Sequence, residues 1–182
     1  MVEIRFHGRD DQGALASAEL TAMAAMAQGK FAEAYPNSVC ERRGVPVTAC
    51  VRISDTPVRT RRKASSPSVV VVLDPTLLPS VDVTRDLKPE GLVIVNTRKT
   101  SAEIRGETGI RSRLAVVDAS GGPLEITDIP ITETATLGAL IITPQAPVSE
   151  DCLAAADNLF HPLGEAGFTT SPCGFETAHA LV

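Results

Sequence analysis

The chain has 182 residues, 43% hydrophobic and 21% charged, a balance of ordinary globular proteins rather than of disordered, collagen-like or membrane chains. A folded chain of this length buries roughly 70% of its unfolded surface, so one core spanning residues 1–182 is enough and a single domain is expected. Net charge −5, 3% aromatic residues and no Trp argue against a nucleic-acid partner, because phosphate affinity needs excess Lys and Arg and base stacking needs exposed rings.

No apolar run approaches the ~20 residues of a bilayer span, and Met1-Val2-Glu3-Ile4-Arg5 lacks the apolar core of a signal peptide. A cytoplasmic protein with no membrane partner is the expectation. Val2, Ile4 and Phe6 alternate with Glu3 and Arg5, a strand pattern that Gly8 ends. From Gln12 to Gln28 the period becomes helical, with Leu15, Ala18, Ala22, Ala25 and Met26 on one stripe and Gly29 as the stop. Val45 to Ser54 reads as a second strand, and Arg59 to Lys63 with Ser65, Ser66 and Pro67 as a polar connection.

Three β-branched runs follow, Ser68 to Leu73, Leu92 to Val95 and Leu114 to Val117, closed by Asp74, Asn96 and Asp118. Continuous apolar runs suit strands buried on both faces of a parallel sheet flanked by helices. The closing polar residues then lie at the carboxyl edge, where open α/β sheets bind ligands, though each is equally a turn former satisfying backbone donors. After Gly121-Gly122-Pro123 come an apolar stretch, Ala135 to Ile142, and a helix from about Ser149 to Phe160 with Ser149 as N-cap. The last ~20 residues, with Gly164, Gly167, Pro172 and Gly174, look irregular. The expected fold is α/β: a single-domain, Rossmann-like layered sheet, mostly parallel and flanked by helices.

Cys40, Cys50, Cys152 and Cys173 form no Cys-x-x-Cys pair and lack the tight spacing of ferredoxin-type cluster ligands, so buried thiols are expected. His7, His161 and His179 are equally scattered, which leaves a zinc site without support and the metal assignment at none. No nucleophile–base constellation stands out, and no catalytic residue is assigned.

Gly8-Arg9-Asp10-Asp11-Gln12-Gly13 links the first strand to the first helix, where backbone N–H groups and the helix dipole can face an anion. Gly8 and Gly13 have the spacing of a nucleoside-triphosphate loop, but Ala14-Leu15 stand where its Lys and Ser/Thr belong. Asp10 occupies the middle glycine position of the dinucleotide fingerprint, and its side chain and charge disfavour NAD or FAD. The structural alternative is that Asp10 or Asp11 caps the helix while the glycines permit close strand–helix packing.

Several segments considered together go further. Ile4 to Ala14, Glu41-Arg42-Arg43-Gly44-Val45-Pro46-Val47, Val51 to Asp55, Val69 to Pro75 and Thr134 to Ala139 resemble, in order and spacing, the gamma subunit of the 2-oxoacid:ferredoxin oxidoreductases, the pyruvate synthase family. The resemblance implies a subunit of a complex that decarboxylates a 2-oxoacid oxidatively and passes electrons to ferredoxin. It also implies thiamine diphosphate, Mg and [4Fe-4S] clusters carried by alpha, beta and delta subunits, and a Rossmann-like gamma chain in a supporting role. Gly8, Arg9, Asp10, Asp11, Gln12 and Gly13 would form a loop facing coenzyme A, and Glu41, Arg42, Arg43 and Gly44 an interface or site-proximal loop. The family loop reads Gly-Arg-Gly-Gly-Gln-Gly, so Asp10 and Asp11 place two carboxylates where a CoA phosphate would approach. A longer helical segment with an Asn before the family's Leu-Gly-Ala run is also replaced here by Ile131-Thr132-Glu133. The rival from another class is a stand-alone anion- or nucleotide-binding regulator on the same fold.

Overall fold

The computed structural model describes residues 1–9, 13–27, 29–37, 44–58 and 66–118, and every element below is counted among them. The N-terminal alternation forms β1 (Val2–Arg9), followed by α1 (Ala14–Ala27), β2 (Phe31–Pro36), β3 (Pro46–Ser54), β4 (Val69–Val72), a 3-10 turn at Pro75–Leu77, β5 (Leu92–Asn96), α2 (Ser101–Thr108) and β6 (Arg113–Val117). The six described strands make one sheet in the order β2-β3-β1-β4-β5-β6. β1 runs parallel to β4, β4 to β5 and β5 to β6. On its other side β1 is antiparallel to β3, and β3 to β2. The parallel α/β half expected from the β-branched runs therefore carries a two-strand antiparallel extension, with β1 at the junction.

All four residues of β4 and all five of β5 are buried, as continuous apolar runs require when both faces of a strand are covered. One face joins Ile4, Phe6, Val51, Ile53, Val69, Val71 and Ile94 to the small residues of α1. The other gathers Val70, Val72, Val93 and Val95 with Val83 and Ile110.

Three expectations are corrected. The buried stripe of α1 is Ala14, Ser17, Ala18, Thr21, Ala22, Ala24 and Ala25, while Leu15 and Met26 are 39% and 50% exposed. Small side chains let the helix approach the sheet closely, so the core-facing stripe is the one with least volume rather than the most apolar. The strand does not end at Gly8 but continues through Arg9, because Gly8 and Arg9 pair with Val47 and Pro46. β2 and α2 have no counterpart among the expected elements. The Phe-Ala-Glu-Ala-Tyr-Pro sequence of β2 has little β-branched character and forms a strand because β3 offers an edge to pair with. α2 buries only Ile104, so it has no apolar period to detect, although Thr100 and Glu103 form a reciprocal capping box. Gly29, at φ +76, does stop α1 as expected. The stretches 121–123, 131–139, 135–142 and 149–160 and the last ~20 residues lie outside the described residues, as does the basic connection 59–65.

Candidate functional site at the carboxyl edge of β1 and β4

The ends of β1 and β4 and the entry to β3 meet around one side chain. Arg9, the last residue of β1, donates from Nε to Asp74 Oδ2 at 2.7 Å, from one terminal nitrogen to the Gly44 carbonyl at 2.7 Å, and from the other to Thr76 Oγ1 at 2.8 Å. Asp74 also accepts from the Thr76 amide at 2.9 Å, capping the 3-10 turn after β4. Here the turn-former reading of Asp74 holds, and the same carboxylate serves as an ion-pair partner. Asn96 closes β5 and donates to the Leu73 carbonyl at 3.1 Å, while Asp118 closes β6 and pairs with Arg98 at 3.2 Å. Pairing of β1 with β3 and β4 aligns these termini along one edge, the edge of an open sheet at which ligands bind.

Behind that edge lies a feature that the alternation of β1 does not predict. Glu3, Arg5 and His7 project from the face opposite Ile4 and Phe6, yet they are 6%, 8% and 5% exposed. A strand with one apolar and one polar face ordinarily leaves the polar face to solvent. Here Glu3 pairs with Arg52 at 3.2 Å with both side chains buried, and the Arg52 guanidinium lies 5.1 Å from the centre of the Tyr35 ring. Arg5 donates to the carbonyls of Val83 and Arg85, at 3.0 and 2.6 Å, which ties the β4–β5 connection to β1. Burial, reinforced by the charge of Arg5, pushes the His7 imidazole down to about 4. Cys50, also buried, has its thiol pushed up to about 11 by burial and by Glu3, against the opposing pull of Arg5, Arg52 and a hydrogen bond from Tyr35.

Of the sequence-predicted residues, Gly8, Arg9, Gly13 and Gly44 fall at this edge. Gly13 and Gly44 adopt φ of +68 and +78, a backbone region that favours glycine. Asp10, Asp11, Gln12, Glu41, Arg42 and Arg43 lie outside the described residues, as do Cys40, Cys152 and Cys173. In the sequence Asp74 stands out only as a strand terminator, and Thr76 does not stand out at all. The one signal that could have found their link to Arg9 is that both segments lie in or beside stretches that carry the family resemblance.

A model of the family described as "Pyruvate ferredoxin/flavodoxin oxidoreductase" matches residues 3–159. The chain belongs to the pyruvate ferredoxin/flavodoxin oxidoreductase family. Within that family it is similar to the "Pyruvate/ketoisovalerate oxidoreductases common subunit gamma" of Thermococcus kodakarensis, at 52% identity over 141 residues covering 77% of this chain and 76% of the relative. It is 42% identical over 139 residues to the "Pyruvate synthase subunit PorC" of Methanosarcina barkeri, covering 76% and 75%. The crystal structure of the pyruvate oxidoreductase subunit PORC of Thermotoga maritima superposes with a TM-score of 0.77 at 32% identity, over 98% of this chain and 95% of that one. The chain is thus of the gamma or PorC type within the pyruvate ferredoxin/flavodoxin oxidoreductases, and the rival regulatory reading has no support among these relatives. Among the described residues of this family member, no helix is long and apolar enough to cross a membrane, and no three His, Cys, Asp or Glu side chains are grouped to hold a metal ion.

Proposed function

We propose that the chain is the gamma subunit of a heteromeric 2-oxoacid:ferredoxin oxidoreductase and supports oxidative decarboxylation of a pyruvate-like 2-oxoacid. The 52% identity to a gamma subunit carries this reading. The joining of three family segments by Arg9, Gly44 and Asp74 at one sheet edge supports it. Alpha, beta and delta subunits would be the partners, with thiamine diphosphate, Mg and the [4Fe-4S] clusters bound outside this chain and ferredoxin accepting electrons from the whole complex. For a cluster on this chain the residues do not fit, since its four cysteines are dispersed in sequence and the thiol of Cys50 is buried.

For coenzyme A the described edge fits poorly. Each nitrogen of the Arg9 guanidinium already donates to a protein acceptor, and Asp74 adds a carboxylate at the same edge. We assign this chain no step that passes through coenzyme A. Its own part is to shape the neighbourhood of the site through Gly8–Gly13 and to meet other subunits through the 41–44 segment.

Purification from the native host tests the reading. The chain is expected to co-purify with a thiamine-diphosphate subunit and a cluster-bearing subunit, and to be colourless and inactive alone. Turnover of a 2-oxoacid by the purified chain by itself, or iron and acid-labile sulfide in it, would overturn the assignment.

A further inference from the structure

A cavity of about 540 Å³ opens on the face of the sheet opposite α1, between the β4–β5 connection and the turn from α2 into β6. That volume lies within the roughly 300–1,000 Å³ of small-molecule sites. Leu78, Val81 and Ile110 give it an apolar floor that rests on the second core cluster. One wall carries Asp82, and the other carries Arg111 and Ser112. Arginines hold both walls by their backbone carbonyls. Arg5 reaches from β1 to the carbonyls of Val83 and Arg85 at 3.0 and 2.6 Å, and Arg105 of α2 reaches that of Ile110 at 2.9 Å. Walls fixed in advance leave a ligand little ordering to impose.

The two charges of the cavity are disposed for a ligand that carries both signs. Asp82 Oδ1 accepts from the Thr84 amide at 3.1 Å and from its hydroxyl at 2.7 Å, which orients the carboxylate and leaves the other oxygen available. Among the described residues the Arg111 guanidinium donates to no protein acceptor, and Asp82 and Arg111 line one cavity without pairing with each other. A phosphate would meet repulsion from Asp82, a lone carboxylate is a poor cage for a metal ion, and a wholly apolar ligand would desolvate both charges without compensation. We infer that this cavity binds a small zwitterion of the α-amino-acid class with an apolar side chain. Its carboxylate meets Arg111 and Ser112, its ammonium meets Asp82, and its side chain covers Leu78, Val81 and Ile110.

Calorimetric titration of the full chain with L-phenylalanine tests the site, beside 3-phenylpropanoate, which lacks the ammonium, 2-phenylethylamine, which lacks the carboxylate, and L-serine, which lacks the apolar side chain. L-phenylalanine should bind saturably and each of the other three about tenfold more weakly or worse. Arg111→Gln should weaken L-phenylalanine about tenfold and leave 2-phenylethylamine unchanged, because that ligand has no carboxylate to lose a partner. Asp82→Asn, which keeps an acceptor for Thr84, should weaken L-phenylalanine similarly and leave 3-phenylpropanoate unchanged. Both side chains are exposed, so the melting temperature of either variant should stay close to that of the parent. No saturable heat from L-phenylalanine up to about 10 mM, where even a millimolar site fills, would overturn the inference. So would analogues that bind as tightly as L-phenylalanine, variants that bind it unchanged, or variants that weaken every ligand alike. The gamma-subunit reading stands or falls separately, on co-purification.

Discussion

His7 is neutral in the fold because burial and the neighbouring Arg5 both oppose a second positive charge, and its value of about 4 lies below the ordinary 6.5. In the unfolded chain it takes up a proton as pH falls through 6.5, whereas in the fold it resists until about 4. Stability is therefore complete above pH 6.5 and is lost progressively between 6.5 and 4. The full difference is about 3 kcal/mol. Urea midpoints at pH 7.5 and 5 should differ less for His7→Gln than for the parent chain, and an equal difference would refute this origin. Cys50 gives a second check at the same scale. With its thiol at about 11, only about a thousandth is thiolate at pH 8, so a thiol reagent should label it mainly after unfolding. Rapid labelling of Cys50 in the native chain, located by peptide mapping, would contradict its burial. The buried thiol of Cys50 is expected from the sequence, but the perturbation of His7 is not legible there. Arg5 and His7 alternate with apolar residues as solvent-facing side chains do, and only the environment above that face of β1 decides that they are dry.

At the scale of elements, legibility follows how much apolar side chain each one commits. β4 and β5 are readable because every position is buried, and an unbroken β-branched run suits little besides a strand covered on both faces. β2 and α2 commit little: Phe31 is 46% exposed, and α2 contributes one buried residue. α1 is readable as a helix but not in its rotation, because eight of its 14 residues are Ala or Ser and several stripes are nearly equivalent. The rotation yields a paired prediction. Ala18→Leu puts a large side chain against the sheet and should destabilise the chain by about 1–3 kcal/mol, whereas Leu15→Gln, on the exposed side, should change stability by less than about 0.5 kcal/mol. Chemical denaturation of the two variants compares them directly, and a larger loss from Leu15→Gln would mean that the helix is turned the other way.

For the whole molecule, the question is what the chain presents to an assembly. Asp10 and Asp11 replace the two glycines of the family loop, and each carboxylate near a CoA phosphate costs on the order of 1 kcal/mol at partly exposed distances. Asp10→Gly with Asp11→Gly should therefore strengthen CoA binding by the assembled complex about tenfold or more. Calorimetric titration of both complexes with CoA decides it: equal and tight binding would show the carboxylates to be electrostatically irrelevant. Arg42 and Arg43 carry adjacent charges that repel unless carboxylates or phosphates receive them. Replacing both with Gln should weaken association with the other subunits more than it lowers the melting temperature. Lost stability with unchanged association would make the pair structural.

By itself the sequence determined the class of the fold, the strands buried on both faces, and the family, because these depend on local runs and on motifs that read the same in any environment. It also singled out the Gly8–Gly13 and Glu41–Gly44 segments as candidates, while leaving their relation open. Only the tertiary structure decided that β3 returns antiparallel beside β1, that the polar face of β1 is buried, and that Arg9 joins Gly44 to Asp74 and Thr76. Each of these joins residues at least 35 positions apart or depends on what covers a face. A local pattern carries no record of which distant acceptor a guanidinium will reach.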